Sequence, residues 1–189
     1  MRATDHRYQK DQEKLTLAMN MLQLNARTNV IRKWTGLSGD RIRKLVKFYG
    51  ATPSDQRQRG RYPSQSPAVS KNPVIRQQAN LLAGLFASSG LMRAQGNSVS
   101  QPEWLQVGQT FCRTYEWFVQ LEGESRISFE HALLLWRQLL NRTEVTLARC
   151  PKCRLLQVLE TYRSPLTPCG LCAQTPPQTH AQRLTAPWV

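Results

Sequence analysis

Apolar residues recur along most of the chain at the spacing of one helical face. Near the N-terminus this spacing predicts a helix over about residues 11–25, followed by a second over about 26–35. Gly36 interrupts the pattern, and Ser38 is a good N-cap for a third helix that ends near residue 48. The apolar positions of the first helix are Leu15, Ala18, Met19, Leu22 and Ala26.

The same periodicity predicts three further helices, over about residues 74–92, 102–121 and 129–141. Ser128 is the expected N-cap of the last of these helices. Their tryptophan and phenylalanine residues fall at ordinary core spacing, which indicates packing. Residues 143–158 turn to a β-like pattern around the first cysteines of the C-terminal region. We therefore expect a mainly α fold.

Proline-rich stretches indicate how the chain is divided. Residues 50–73 hold four prolines among Ser, Gln, Gly and Arg, and this composition predicts a basic loop or arm. Residues 173–189 hold three more prolines and are expected to form a disordered tail. The length of 189 residues fits one domain with a small appendage. We expect a helical domain over residues 1–142 and a separate module over residues 143–172.

The sequence gives no indication of a membrane-spanning or exported protein. The longest uninterrupted apolar run extends from Ala132 to Trp136, whereas a transmembrane helix needs about 20 apolar residues. The first residues lack the apolar stretch of a secretory signal. We therefore expect a cytoplasmic protein without membrane association.

Positive charge is concentrated in one part of the chain. The whole sequence holds 26 Lys and Arg against 12 Asp and Glu, for a net charge of +14. Residues 26–76 alone carry twelve bases and two acids. Such an excess is the electrostatic footprint expected for a polyanion with closely spaced phosphates. A solvated basic face is the alternative that charge by itself leaves open.

Four cysteines form two C-x-x-C pairs that are separated by fifteen residues: Cys150, Cys153, Cys169 and Cys172. This spacing matches a known zinc-binding pattern, in which two tight turns direct four sulfurs at one ion. A closed all-cysteine site has no open position for water, so one structural Zn²⁺ is expected. Redox disulfides are the alternative, which a reducing cytosol disfavours. The C-terminal module is therefore expected to be zinc-ribbon-like.

Other potential ligands stand alone in the sequence. Cys112 lies on the apolar face of its helix and is expected to be a buried structural thiol. His6, His131 and His180 have no partners at ligand spacing. Apolar cover for the zinc module is expected from Val145, Leu147, Leu155, Val158 and Leu159.

Residues 28–47 resemble a helix-turn-helix segment. Gly36 falls in the turn, and apolar residues fall at the positions that pack the two helices together, although Arg32 stands where a small residue is commonest. The second of these helices turns its bases outward, where they can reach phosphates and guanine edges in a major groove. The arginines of the 50–73 arm can follow phosphates or enter a minor groove. The expected DNA-binding residues are Arg27, Arg32, Lys33, Arg41, Arg43, Lys44, Lys47, Arg57, Arg59 and Arg61.

Three sequence stretches together resemble a known family. They are L-x-L-A-M-x-M-L-x-L-x-A-R near the start, T-G-L-S-G-D-R-I-R-K-L after it, and A-L-L-L-W followed by V-T-L-A-R-C-P-K-C and C-G-L-C. Over roughly residues 12–172 the chain resembles FlhC, the C subunit of the bacterial flagellar master transcriptional activator, and its relatives on conjugative plasmids and integrative elements. Two features depart from the family pattern. The linker is longer and arginine-rich, and the second cysteine is followed by Arg154 and Leu155 without the usual glycine.

The resemblance implies a function and a set of partners. It implies a bacterial protein that binds zinc through the four cysteines, joins an FlhD-like partner subunit in a hetero-oligomer, and is nucleoid-associated when bound to DNA. Such a complex binds double-stranded DNA upstream of promoters and recruits RNA polymerase, to activate flagellar or conjugative-transfer genes. Carried over by position, the residues near the partner would be Leu15, Ala18, Met19 and Leu22.

Two other classes of function are open to the sequence. An RNA-binding or ribosome-associated zinc protein would also need a basic patch. We expect few exposed aromatic residues among the Lys and Arg residues. This counts against a protein on which the bases of a single strand stack. No GxSxG, P-loop or H-E-x-x-H motif occurs, so we expect a protein that is not an enzyme.

Overall fold

The computed structural model describes residues 3–49, 61–93, 101–164 and 166–174, and within them the fold is mainly α, as the sequence predicts. Two short 3-10 helices, Pro67–Val69 and Leu91–Arg93, and a two-stranded sheet complete it. The α-helices are α1 (Ala3–Gln23), α2 (Thr28–Thr35), α3 (Gly39–Tyr49), α4 (Pro73–Ser88), α5 (Gln101–Glu122), α6 (Phe129–Asn141) and α7 (Gly170–Gln174). The strands are β1 (Val145–Arg149) and β2 (Leu156–Glu160).

The helix boundaries follow from local hydrogen bonds. The Ser128 hydroxyl accepts a bond from the backbone N–H of His131 and caps α6 at the predicted residue. The Ser38 hydroxyl accepts from the N–H of Arg41 and caps α3 in the same way. Gly36 ends α2 with a φ of 70°, a left-handed conformation that glycine adopts without steric cost.

Some predicted boundaries differ from the structure. α1 begins at Ala3, earlier than predicted. The apolar period did not reveal its first turns because they are polar. α4 ends at Ser88, and a 3-10 helix follows it where the prediction continued the α-helix. Ala173 and Gln174, predicted to belong to the tail, are the last residues of α7. Residues 50–60 of the predicted arm and 175–189 of the predicted tail lie outside the described residues.

A cluster of aromatic rings forms the centre of the core. Trp34 of α2 stacks on Trp104 of α5, with ring centroids 4.6 Å apart. Trp136 of α6 lies 5.9 Å from Trp34 and 5.6 Å from Phe111, and its Nε1–H donates to the Leu91 carbonyl at 3.2 Å. The rings therefore join α2, α5 and α6, and the prediction that the aromatic stripes are packing residues is confirmed for these positions.

The β-hairpin belongs to the same core as the helices. β1 and β2 pair antiparallel, with Val145 opposite Glu160. Val145 and Val158 are buried in the cluster that the helices form. The Val158 N–H donates to the Asn80 Oδ1 of α4 at 2.7 Å. The hairpin half of the 143–172 module is thus fixed to α4 rather than held by the cysteines alone.

No helix in the described ranges is long and apolar enough to cross a membrane.

Two glycines inside helices provide a matched test of this packing. A Cβ on Gly108 of α5 would lie 2.8 Å from both Leu17 Cδ2 and Trp34 Cε3, whereas a Cβ on Gly84 of α4 would meet nothing within 4 Å. We expect Gly108→Ala to lower the free energy of unfolding by about 1–3 kcal/mol through overpacking. Gly84→Ala should raise it by about 0.5–1 kcal/mol through helix propensity. Urea unfolding of both variants measures this, and stabilisation by both would contradict the close approach of α1 and α2 to α5.

Candidate metal centre

The four cysteines lie on two turns that face each other. Cys150 follows β1 directly, and its N–H donates to the Leu155 carbonyl at 2.9 Å. The Cys150 carbonyl accepts from the Arg154 N–H at 2.9 Å, which closes the tight turn that carries Cys153. Cys169 immediately precedes α7 and Cys172 lies within it. The end of one strand and the start of one short helix thus supply all four sulfurs.

The sulfurs are close enough to bind one ion. All four Sγ atoms lie within 4.8 Å of one another, and Cys153 Sγ is 3.6 Å from Cys169 Sγ. In a tetrahedral site with Zn–S bonds of about 2.3 Å, the sulfurs are about 3.8 Å apart. The predicted grouping of Cys150, Cys153, Cys169 and Cys172 is therefore confirmed as a cluster that could hold a metal ion.

The cluster favours one thiolate but opposes a second. Backbone N–H groups of Cys153 and Cys169 that point at the Cys150 sulfur lower the pKa of this thiol to about 6. The bond from the Cys169 N–H is 3.3 Å long. By contrast, a hydrogen bond with the Cys153 side chain and then burial raise the pKa of the Cys172 thiol to about 12. A bound dication would offset the repulsion between the thiolates and allow the whole set to ionise.

Arg154 adopts the conformation that a glycine would take in this turn. Its φ is +64°, a left-handed value that costs a residue with a Cβ about 1 kcal/mol or more. Its carbonyl accepts from the Nη1 of Arg149 at 3.2 Å. The chain therefore retains the tight turn after Cys153, although it lacks the glycine by which such a turn is usually recognised in a sequence.

The cover of the cluster is only partly as predicted. Val145, Val158 and Leu159 are buried and Leu147 is half-buried, but the prediction for Leu155 was wrong, because its side chain is 60% exposed. Gln157, which the sequence did not single out, is buried and donates from Nε2 to the Thr167 carbonyl at 2.8 Å. This bond ties β2 to the loop that carries the second cysteine pair.

The predicted DNA-binding residues that lie on α2 and α3 are exposed cations, and they form two groups. Arg41 is held by Asp11 of α1, with Nη–Oδ2 distances of 3.1 and 3.2 Å, and Arg43 pairs with Asp40 on its own helix. The second group consists of the other exposed cations of these helices, Arg32, Lys33, Lys44 and Lys47. None of them has a salt bridge to a described residue. This second group leaves its positive charge available to a ligand.

The remaining predicted DNA-binding residues are placed differently. Arg27 is half-buried between α1 and α2, and its backbone N–H donates to Glu130 Oε1 at 2.8 Å. Arg61 is exposed. Arg57 and Arg59 lie outside the described residues.

The residues predicted to lie near a partner subunit share one face of α1 but differ in burial. Ala18 and Leu22 are buried in the core of this chain. Leu15 and Met19 are half-buried and retain some exposed surface. Of the four residues, Leu15 and Met19 are therefore the ones whose surface another chain could contact.

Two exposed aromatic residues contradict one expectation from the sequence. Phe48 and Tyr49, in the last turn of α3, are 74% and 60% exposed. They lie next to Lys44 and Lys47, so the prediction that few exposed aromatic residues interleave with the bases was wrong here. The helical period of α3 places Phe48 on the basic face, four residues after Lys44. Its exposure could therefore have been predicted from the sequence.

The isolated Cys112 is placed as predicted, and His131 lies beside the N-cap of α6. Cys112 is buried, and burial raises the pKa of its thiol to about 12. The ring Nδ1 of His131 is 2.8 Å from the Ser128 hydroxyl at the start of α6. Neither residue belongs to the cysteine cluster.

Comparison with models of known protein families finds no match for the chain, and no curated protein matches it either. The resemblance to the FlhC family therefore stays a prediction.

Proposed function

We propose that the chain is a zinc-stabilised, DNA-binding subunit of a transcriptional activator of the FlhC type. The observation that carries the proposal is the exposed face of α3, where Lys44 and Lys47 have no salt bridge within the described part of the chain. Arg32 and Lys33 add two more such cations on the neighbouring helix α2. Cations without internal partners can neutralise phosphates without first breaking a salt bridge.

The packing of α2 and α3 supports contact with a double helix. Ile31 of α2, Ile42 of α3 and Leu37 between the two helices are buried, and Gly36 makes the turn that joins the helices. On the opposite side of α3, Lys44 and Lys47 are exposed and have no salt bridge to a described residue. A helix that is held along one side and basic along the other can enter a major groove, where its cations reach phosphates and base edges.

The two groups of cations would have different roles. Lys44, Lys47, Arg32 and Lys33 would bind phosphates and set the position of the protein on the duplex. Arg41 would read bases only after its salt bridge with Asp11 is exchanged for a bond to DNA. The affinity would therefore come mainly from Arg32 and the three lysines.

Zinc is the metal proposed for the four-cysteine cluster. A closed set of four thiolates suits Zn²⁺, which supplies a structural crosslink and no open coordination position. Iron–sulfur clusters also bind to four cysteines, and metal analysis of the purified protein distinguishes the two. The crosslink would hold the turn after β1 against α7, while the hairpin itself stays fixed to α4.

The wider assembly follows from the resemblance. Leu15 and Met19 of α1 would contact an FlhD-like partner subunit, and the complex would bind double-stranded DNA upstream of promoters and recruit RNA polymerase in the bacterial cytoplasm. Its targets would be flagellar or conjugative-transfer genes.

A charge-matched pair of variants tests the DNA-binding face. We expect Lys44→Ala/Lys47→Ala to weaken binding to duplex DNA roughly tenfold to hundredfold, because two phosphate contacts are lost. The control, Lys71→Ala/Arg113→Ala, removes the same charge from exposed positions in the loop before α4 and on α5, and should change the affinity by less than about threefold. Fluorescence anisotropy at one fixed salt concentration measures both. Equal losses in the two variants would mean that net charge alone holds the DNA.

An RNA-binding zinc protein is the second candidate. The exposed Phe48 beside free lysines favours it, because aromatic side chains bind unpaired bases. A structured RNA that binds the zinc-loaded protein much more tightly than duplex DNA at equal salt would favour this candidate over the first.

A further inference from the structure

Helix α3 carries an aromatic residue where its pattern requires a polar one. Ile42, Leu45 and Val46 form the side that packs on the core, with Ile42 fully buried. Phe48 lies four residues after Lys44, so these two side chains share the opposite, solvent-facing side. Phe48 is 74% exposed there. A phenylalanine in this position contributes nothing to the core that the structure describes.

Tyr49 places a second exposed ring in the same turn. It continues the inward side of α3, three residues after Val46, but the helix has passed the end of the core and the ring is 60% exposed. Lys47 precedes both rings, and neither it nor Lys44 has a salt bridge within the described part of α3 or its neighbours. The last two turns of α3 therefore combine two ring surfaces with two available cations.

This combination fits a chain of unpaired nucleotides. Bases stack on aromatic side chains, and the phosphates between them are bound by lysine. In a duplex the bases already stack on one another, so their faces cannot reach the rings. We propose that the last two turns of α3 bind single-stranded nucleic acid, with unpaired bases stacked on Phe48 and Tyr49 and phosphates bound by Lys44 and Lys47. The proposal rests on the proposed function only in that both use the basic face of α3.

A partner helix is a poorer occupant for the same surface. Docking of a helix in a groove needs apolar anchors at i, i+3, i+4 and i+7. The residues of α3 that could extend such a stripe, Leu45 and Val46, already pack against the core. Lys44 and Lys47 beside Phe48 are instead positively charged, which favours a polyanion.

The experiment compares single strands with a duplex on the zinc-loaded full chain. The probes are labelled oligothymidine and oligouridine of about 12 nucleotides, a length within the usual range of single-strand sites, and a DNA duplex of equal length. We expect Phe48→Ala/Tyr49→Ala to weaken single-strand binding roughly tenfold to hundredfold and duplex binding by less than about threefold. Tyr162→Ala, which removes a ring that is 93% exposed in the loop after β2, is the control and should change neither.

A second variant keeps a ring in place. Phe48→Trp should retain single-strand affinity, and the emission of the new tryptophan should be quenched when the oligonucleotide binds, because the base stacks on the indole. The two single strands distinguish RNA from unpaired DNA as the preferred ligand. A clear preference for oligouridine would point to the 2′-hydroxyl as a further contact.

Each contrary result has a separate meaning. Unchanged single-strand affinity in Phe48→Ala/Tyr49→Ala, or equal losses for single strand and duplex, overturns the stacking proposal. Wild-type protein that binds the duplex but neither oligonucleotide overturns it too, and leaves the proposed function standing. Failure to bind any of the three probes contradicts the proposed function itself. If Phe48→Ala/Tyr49→Ala changed the sedimentation of the protein but not its single-strand affinity, the two rings would belong to a protein interface and the proposal would be overturned.

Discussion

Replacing Cys150 with serine is expected to abolish metal binding and to unfold the turns around the cysteine cluster. Cys150 is buried, its sulfur accepts a hydrogen bond from the Cys169 N–H, and its thiol is the most acidic of the thiols with a resolved shift. Metal binding to such sites contributes roughly 10 kcal/mol or more in zinc-finger peptides, so its loss has a large effect.

The extent of the unfolding follows from the packing. Residues 150–154 and 166–174 should exchange amide hydrogens freely in the variant, because they depend on the ion. The hairpin should stay protected, since Val145 and Val158 lie in the helical core and Asn80 binds the Val158 N–H. Metal analysis and hydrogen exchange measure the two effects. Cys112→Ser, a change at a buried thiol outside the cluster, should keep one metal ion per chain. Full metal content in Cys150→Ser would refute the assignment of this ligand.

Replacing Trp34 with alanine is the second change with a large expected effect. Trp34 is buried and stacks on Trp104. Its ring lies within 6.0 Å of Phe111 and Trp136 by centroids, so it joins α2 to α5 and α6. Removal of a buried aromatic side chain costs about 3–5 kcal/mol. Small domains have a free energy of unfolding of only about 5–15 kcal/mol. The variant should therefore be only marginally stable, and α2 and α3 should lose their fixed position.

Trp34→Phe is the matched variant. The Nε1–H of Trp34 is buried and has no hydrogen-bond partner among the described residues, so phenylalanine forfeits no hydrogen bond. It keeps a ring against Trp104 and should cost roughly 1 kcal/mol for the smaller volume. Denaturant unfolding of both variants gives the comparison. If the two variants were equally unstable, ring packing could not be the main contribution of Trp34.

Local signals in the sequence were sufficient to predict several elements. The apolar period and the Ser128 cap give the bounds of α6 as observed. The spacing of the cysteines predicts their grouping, because two tight turns with thiols three residues apart can converge on one point. Gly36 predicts the turn between α2 and α3 because glycine adopts a positive φ without steric cost, and its φ in the structure is positive. Each of these features depends on residues close together in the chain, or on a pattern with one geometric solution.

Features that depend on distant contacts could not be predicted. The bond between Asn80 and the Val158 N–H joins residues 78 positions apart and places the hairpin in the helical core. Gly108 is an ordinary helical glycine in the sequence, and only the structure shows that Leu17 and Trp34 occupy the space beside it. The exposure of Tyr49 depends on where the core ends, which the apolar period of α3 does not reveal.

The dependence of duplex binding on salt tests most directly the claim that free cations on α2 and α3 bind a phosphate backbone. Anisotropy titrations of the zinc-loaded wild-type chain on duplex DNA, between about 50 and 200 mM salt, give the slope of log K against log salt concentration. With four free cations engaged, the slope should be about −3 to −4, and it should be less steep by about 2 in Lys44→Ala/Lys47→Ala. A duplex affinity that is independent of salt, or no binding at about 50 mM salt, would contradict the account.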